Sequence, residues 1–216
     1  MSDEGHLDEK ILELIDQVES PEAASPGAAA SEKKREEIPP EERTIYTGIK
    51  IEGFWVEFEE RIFLGGRFAM MVPKFFTNMD EQSAKIKYPM DQRPETILTD
   101  PSGTVNFLLN DLEEKITNDD TEMVRDNLLT IMRRVNPGIK PQATGKEIVG
   151  DRNVAYVEFS NPTIDGKLYN LMFFLEADGS PLMGSFNCTT KVMKYWKKPA
   201  FEMMQSLRLP ELEIIN

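Results

Sequence analysis

The sequence predicts an α+β fold, an α/β/α sandwich in which helices flank a central, mainly antiparallel sheet. Two observations lead there. Short alternating apolar runs are separated by hairpin-forming dipeptides, Gly65-Gly66, Asp165-Gly166 and Asp178-Gly179, and hairpin-joined strands pair antiparallel. Two amphipathic helical patterns, one between the hairpin groups and one closing the chain, supply apolar faces to cover that sheet. A doubly wound parallel sheet is not indicated, because no Gly-x-Gly-x-x-Gly follows a strand.

Residues 1–43 carry thirteen acidic and five basic side chains and are set apart as an acidic tail, with a single domain over 44–216. Within the tail, Leu7, Ile11, Leu14, Ile15 and Val18 share one helical face, a short segment that either docks on the domain or binds a partner. The stretch after it has no aromatic or periodic apolar residues, so disorder is expected there.

From Ile45 the pattern is that of strands. Ile45, Tyr46, Ile49 and Ile51 suggest one and Phe54–Phe58 a second; Ile62–Leu64 and Arg67–Val72 flank Gly65-Gly66, and Pro73 ends the pairing because it lacks an N–H. A short helix is expected over Asp80–Lys87, capped by Asn78 or Asp80 and stopped by Pro89. Glu95–Thr99 and Thr104–Leu109 form a hairpin around an Asp-Pro-Ser-Gly turn. The longest helix spans about Asp120–Val135, with Val124, Leu128, Ile131, Met132 and Val135 as its buried stripe. Asp119 is its expected cap, Glu122 completes a capping box, and Asn136-Pro137-Gly138 ends it. Strands follow at Gly145–Val149, Asn153–Ser160, Lys167–Leu175 and Pro181–Cys188. A closing helix starts near Thr190 with Val192, Tyr195 and Trp196; Pro199 is expected to kink or restart it, and Phe201, Met204 and Leu207 continue its buried face.

Charge and residue usage narrow the function. A net charge of −13 over 216 residues argues against nucleic acid, whose phosphates need clustered Lys and Arg, and against an anionic membrane surface. The longest apolar run, Leu171–Leu175, is far short of the roughly 18 residues of a membrane helix. The N-terminus lacks a secretory signal and there is a single Cys, so a cytoplasmic location is expected. His6, the one histidine, lies in the tail, which removes Ser-His and Cys-His catalysis and His-containing metal sites from the domain. Cys188 reads as a small buried hydrophobe, with an activated thiolate as the alternative. Asp119-Asp120 and the cluster of Asp111, Glu113 and Glu114 lack the spacing of a calcium loop, so no metal and no cofactor is expected.

Five side chains are candidate partner contacts: Lys87, Tyr88, Arg93, Asn106 and Trp196. Lys87-Tyr88-Pro89 and Arg93-Pro94 place an Arg and a Tyr on proline-fixed backbone, able to bracket a carboxylate or to pack on the sheet and satisfy turn carbonyls. Asn106 and Asn187 sit on strands, where a role ending hydrogen-bond ladders competes with ligand contact.

The run Val72-Pro73, Phe76, Met79, Lys87-Tyr88-Pro89, Arg93-Pro94 and Asn106-Phe107 resembles a group of uncharacterised bacterial proteins with the PsbP/DcrB-like fold. Tyr169-Asn170-Leu171-Met172-Phe173-Phe174, Gly184-Ser185-Phe186-Asn187-Cys188 and Trp196 resemble that group's second half, so the likeness covers about residues 62–209. It implies an α/β/α sandwich around an antiparallel sheet. Relatives of the fold include a photosystem extrinsic subunit, a Ran-binding nuclear transport factor, a periplasmic lipoprotein and chaperones for secreted bacterial effectors, and they bind rather than catalyse. The expected function is therefore a non-catalytic cytoplasmic protein-binding module, or a secretion-type chaperone, with a protein or peptide partner. The alternatives are a small-molecule enzyme using carboxylate, Tyr, Arg or Cys side chains, and a structural subunit of a larger assembly.

Overall fold

The computed structural model describes residues 38–51, 53–89, 93–112, 114–163 and 166–209. The chain divides into two units, Met1–Glu42 and Arg43–Asn216. The described part of the first is one 3-10 turn at Pro40–Glu42. The amphipathic segment expected between Leu7 and Val18, and the expected disorder after it, lie outside the described residues.

The second unit is an α+β sandwich. Its seven-stranded antiparallel sheet has the order β5-β6-β7-β11-β10-β9-β8, built from β5 (Thr77–Asn78), β6 (Thr96–Thr99), β7 (Val105–Asp111), β8 (Lys140–Val149), β9 (Arg152–Thr163), β10 (Gly166–Ala177) and β11 (Ser180–Thr189). Two smaller antiparallel pairs stand outside it: β1 (Ile49–Ile51) with β2 (Phe54–Val56), and β3 (Phe58–Phe63) with β4 (Phe68–Pro73). Among the described residues the unit also has three α-helices: α1 (Glu81–Lys87), α2 (Thr121–Val135) and α3 (Met193–Gln205).

Alternation along the strands feeds two cores, as a sheet buried on both faces requires. One face presents Phe107, Tyr169, Leu171, Phe173 and Phe186 to Trp196, Ala200 and Met203 of α3 and to Phe68 and Met70 of β4. The other packs Val157, Phe159, Met172 and Phe174 against Val124 and Leu128 of α2. On that second face, Ile97 and Leu108 lie under Ala84 of α1.

Several local expectations are corrected. The strand expected from Ile45 begins only at Ile49, because Thr44–Thr47 makes a turn, with Thr47 N–H donating to Thr44 O at 3.1 Å, and Gly48 then takes φ +86°. The single strand expected over Phe54–Phe58 is broken after Val56, and its two parts pair with different partners. At α2 the capping residue is Asp120, whose carboxylate accepts from Thr117 N–H (2.8 Å) and Thr117 Oγ1 (2.7 Å) rather than from the helix. The expected capping box does not form, since Asp119 accepts from Asn153 Nδ2 at 3.1 Å and Glu122 pairs with Lys146 at 2.7 Å. α3 runs through Pro199 without a break.

Candidate functional site

The sequence candidates fall in three places. Lys87, Tyr88 and Asn106 come together around the β6–β7 turn. Asp80 starts α1 by accepting from Ser83 N–H at 2.9 Å, and the helix ends at Tyr88, ahead of Pro89. Tyr88 then packs beside Ile97 and Leu108. Burial pushes its phenol up, and the neighbouring Asn187 amide partly offsets this. Lys87 is exposed, but its ammonium donates to Gly103 O in the turn; loss of hydration there lowers its pKa, opposed by Asp100.

Asn106 is wholly buried. It accepts from Thr99 Oγ1 and donates to Asn187 Oδ1, both at 2.9 Å, while Asn170, the β10 partner of Asn187, donates to Asn161 Oδ1 at 2.7 Å. These amides satisfy polar atoms inside the sandwich, as burial demands. They hold the turn rather than present it. Trp196 lies on the opposite face, 4% exposed, with its ring near Phe76 and Phe186. It is a core residue, out of a partner's reach.

Arg93 lies apart from these, beside an open cleft of about 570 Å³. Glu95, just beyond it, is tied to β7 by its N–H donating to Asn110 Oδ1 at 3.2 Å. Arg93, Glu95, Asn110 and Asp111 line one side, and Met123, Asn127 and Ile131 of α2 line the other. Val124 and Leu128 reach the same cleft from the buried edge of the helix. Asp111 gives one oxygen, Oδ2, to Arg67, and its Oδ1 is buried without a donor. Arg67 also donates to Asp178 at 2.8 Å, and hydrogen bonds to Asp178 and then Asp111 raise its guanidinium pKa.

The sequence missed the α2 side of this cleft. Ile131 and Val135, expected in the buried stripe, are 54% and 82% exposed, and Met123 is 54% exposed. Residues 123, 127 and 131 recur every four positions and form a second face, turned away from the one that packs on the sheet. That spacing was visible in the sequence; its orientation was not.

Two further groups bear on chemistry. Cys188 is buried, and burial pushes its thiol up to about 12. Burial of this kind favours the thiol over the thiolate, the opposite of an activated nucleophile. Glu158, buried on the α3 side, accepts from Tyr169 Oη at 2.8 Å and pairs with Lys197 at 2.7 Å. Burial and then that hydrogen bond raise the Tyr169 phenol pKa. The arrangement fastens α3 to the sheet. Among the described residues no group of three His, Cys, Asp or Glu side chains is placed to hold a metal ion. No helix among them is long and apolar enough to cross a membrane.

No protein-family model and no curated protein matches the chain. Solved structures do. Cyanobacterial PsbP (CyanoP) from Synechocystis sp. PCC 6803 superimposes with a TM-score of 0.54 at 11% identity, covering 71% of this chain and 92% of that one. LpqN, involved in cell envelope biogenesis of Mycobacterium tuberculosis, gives 0.48 at 10% identity, over 72% and 92%. The T6SS immunity protein TplEi from Pseudomonas aeruginosa, solved with an "L" peptide, gives 0.37 at 11% identity, over 86% and 85%. The domain has the PsbP/DcrB-like fold. At these identities the likeness speaks to the fold alone.

Proposed function

We propose that this chain is a non-catalytic binding module that grips a protein or peptide in the cleft between α2 and the Arg93–Glu95 segment. One observation carries the reading: α2 turns Met123 and Ile131, each 54% exposed, into a cleft edged by charged and amide groups. Apolar side chains grouped in a concave site with a polar rim mark binding surfaces, whereas apolar residues scattered singly do not. Methionine adds an adaptable surface that suits varied partners. The protonated, buried Cys188 supports binding over covalent catalysis. A chaperone for secreted polypeptides is the narrower form of this reading, because an exposed apolar cleft is what such a role needs. A cytoplasmic setting belongs to the same proposal and is supported by the single cysteine, which leaves no internal disulfide to need an oxidising compartment.

A photo-reactive phenylalanine analogue at position 123 or 131 of the full chain, activated in the cells that make it, tests the reading. A cross-linked adduct of discrete mass is expected from these two positions and not from position 86, where Ile86 is 75% exposed on α1. Equal labelling from all three positions, or none from 123 and 131, would overturn it.

A further inference from the structure

We propose that the occupant of this cleft is a cationic, amphipathic polypeptide segment, one that sets Lys or Arg beside bulky aliphatic residues. The inference rests on the binding reading above and adds the chemistry of the partner. Among the described lining residues, the carboxylates of Glu95, Asp111 and Glu114 outnumber the single guanidinium of Arg93. Glu95 and Glu114 are exposed at the rim, where they meet a ligand first. Asp111 is further in; Arg67 holds one of its oxygens, and the other is buried without a donor. Its carboxylate therefore acts on a cation in the cleft through space, and the exposed Glu95 and Glu114 are the acceptors a ligand can touch.

The apolar side of the pairing is set by Met123 and Ile131, with Val124 and Leu128 behind them. Because α2 is regular from Thr121 to Val135, the exposed pair is eight residues apart on one helix face, the spacing that meets aliphatic anchors of a partner helix or strand. Residues 44–216 themselves hold 25 acidic and 20 basic side chains, a net negative balance that favours cationic over acidic segments. Rim carboxylates thus select for charge and steer the encounter, and the apolar wall supplies the hold.

The test uses isotope-labelled full chain and three synthetic peptides, an amphipathic Leu/Lys sequence, its Leu/Glu counterpart, and a Ser/Lys sequence of equal charge, at physiological ionic strength. The Leu/Lys peptide should shift the amide signals of Leu112, Met123, Asn127 and Ile131, with the Ser/Lys peptide leaving them unmoved. The exposed double variant Met123→Ser with Ile131→Ser should weaken Leu/Lys binding about tenfold, the size expected for losing two apolar contacts. Glu95→Gln with Glu114→Gln should weaken it several-fold and flatten its salt dependence. Circular dichroism of each variant confirms that it is folded. If the Leu/Glu peptide moves the same signals equally well, the cationic class is wrong while the binding reading stands. If the Leu/Lys peptide shifts signals broadly and the double apolar variant does not matter, the contact is non-specific and the inference fails. Silence of both amphipathic peptides at the cleft overturns it too, and the cross-linking result then decides the reading beneath.

Discussion

At the scale of single residues, the sheet is built around close approaches that only particular side chains permit. Gly184 pairs with Phe173 across β10 and β11, and a Cβ at Gly184 would lie 2.1 Å from the ring. The missing side chain lets Phe173 lie flat and stack on Phe107, with ring centroids 6.3 Å apart. Cys188 lies near the end of the same strand, paired with Tyr169 of β10 in the same core. Its thiol is held near 12 in the folded chain against an ordinary value of 9.0. Between those limits the folded chain binds more protons than the unfolded one, so this contribution is complete below about pH 9 and is lost as pH rises toward about 12. Tyr169, also raised, acts in the same direction. Urea midpoints should therefore fall steadily from about pH 9 upward, and Cys188→Ala should fall less steeply than the parent. Native chain should resist iodoacetamide at about pH 8 and react once unfolded. A midpoint independent of alkaline pH would contradict this account.

At the scale of elements, what was legible is what short-range chemistry decides. Asp178 at φ +55° and Gly179 at φ +82° form the tight turn that their dipeptide announced, and Asp80 caps α1 as its position suggested. The start of α2 was not legible, because Asp119 and Asp120 are equivalent by local pattern. The choice between them depends on Thr117 beside them and on Asn153, which lies 34 positions from Asp119. Arg125 shows the same limit. An amphipathic reading puts charge on the solvent side, yet this side chain is 8% exposed. It donates from Nη1 to Gly145 O of β8 at 2.9 Å and from Nε to Asp126 at 2.8 Å. That bond ties the helix to the sheet's edge strand. Arg125→Met keeps much of the volume but strands a carbonyl, and should cost about 1–3 kcal/mol, seen as a lower urea midpoint. Amide exchange in β8 should quicken more than in β10. Arg125→Lys should recover only part of the loss, because an ammonium cannot serve both acceptors from one planar fork. Equal exchange rates in both strands would show that Arg125 packs without anchoring the edge.

At the scale of the whole molecule, strand order separates the readable from the unreadable. The β6–β7 pair and the β8–β9–β10–β11 meander each follow from turns between neighbours in sequence. Nothing local says that β7 joins β11, yet Phe107 faces Phe186 and Asn106 faces Asn187, and this pairing makes one sheet of two. It also creates the cleft. α2 packs on β9 and β10, and its flank at Met123 and Ile131 is left facing the end of β7, so the exposure of those residues depends on a long-range pairing. Helical periodicity identifies an apolar position without naming its neighbour, so by pattern alone Ile131 reads as core. The described apolar core lies wholly between Ile45 and Leu207, and its two faces are closed by α1, α2, α3 and the β3–β4 pair. Residues 43–216 therefore contain the elements that bury it. A fragment of that span should melt within about 2–4 °C of the full chain, since a shift of that size corresponds to about 1 kcal/mol for a domain this large. Its near-ultraviolet circular dichroism, which reports Trp196 among its ring neighbours, should be unchanged. A markedly lower midpoint, or loss of that aromatic signal, would mean that residues 1–42 supply part of the domain's stability.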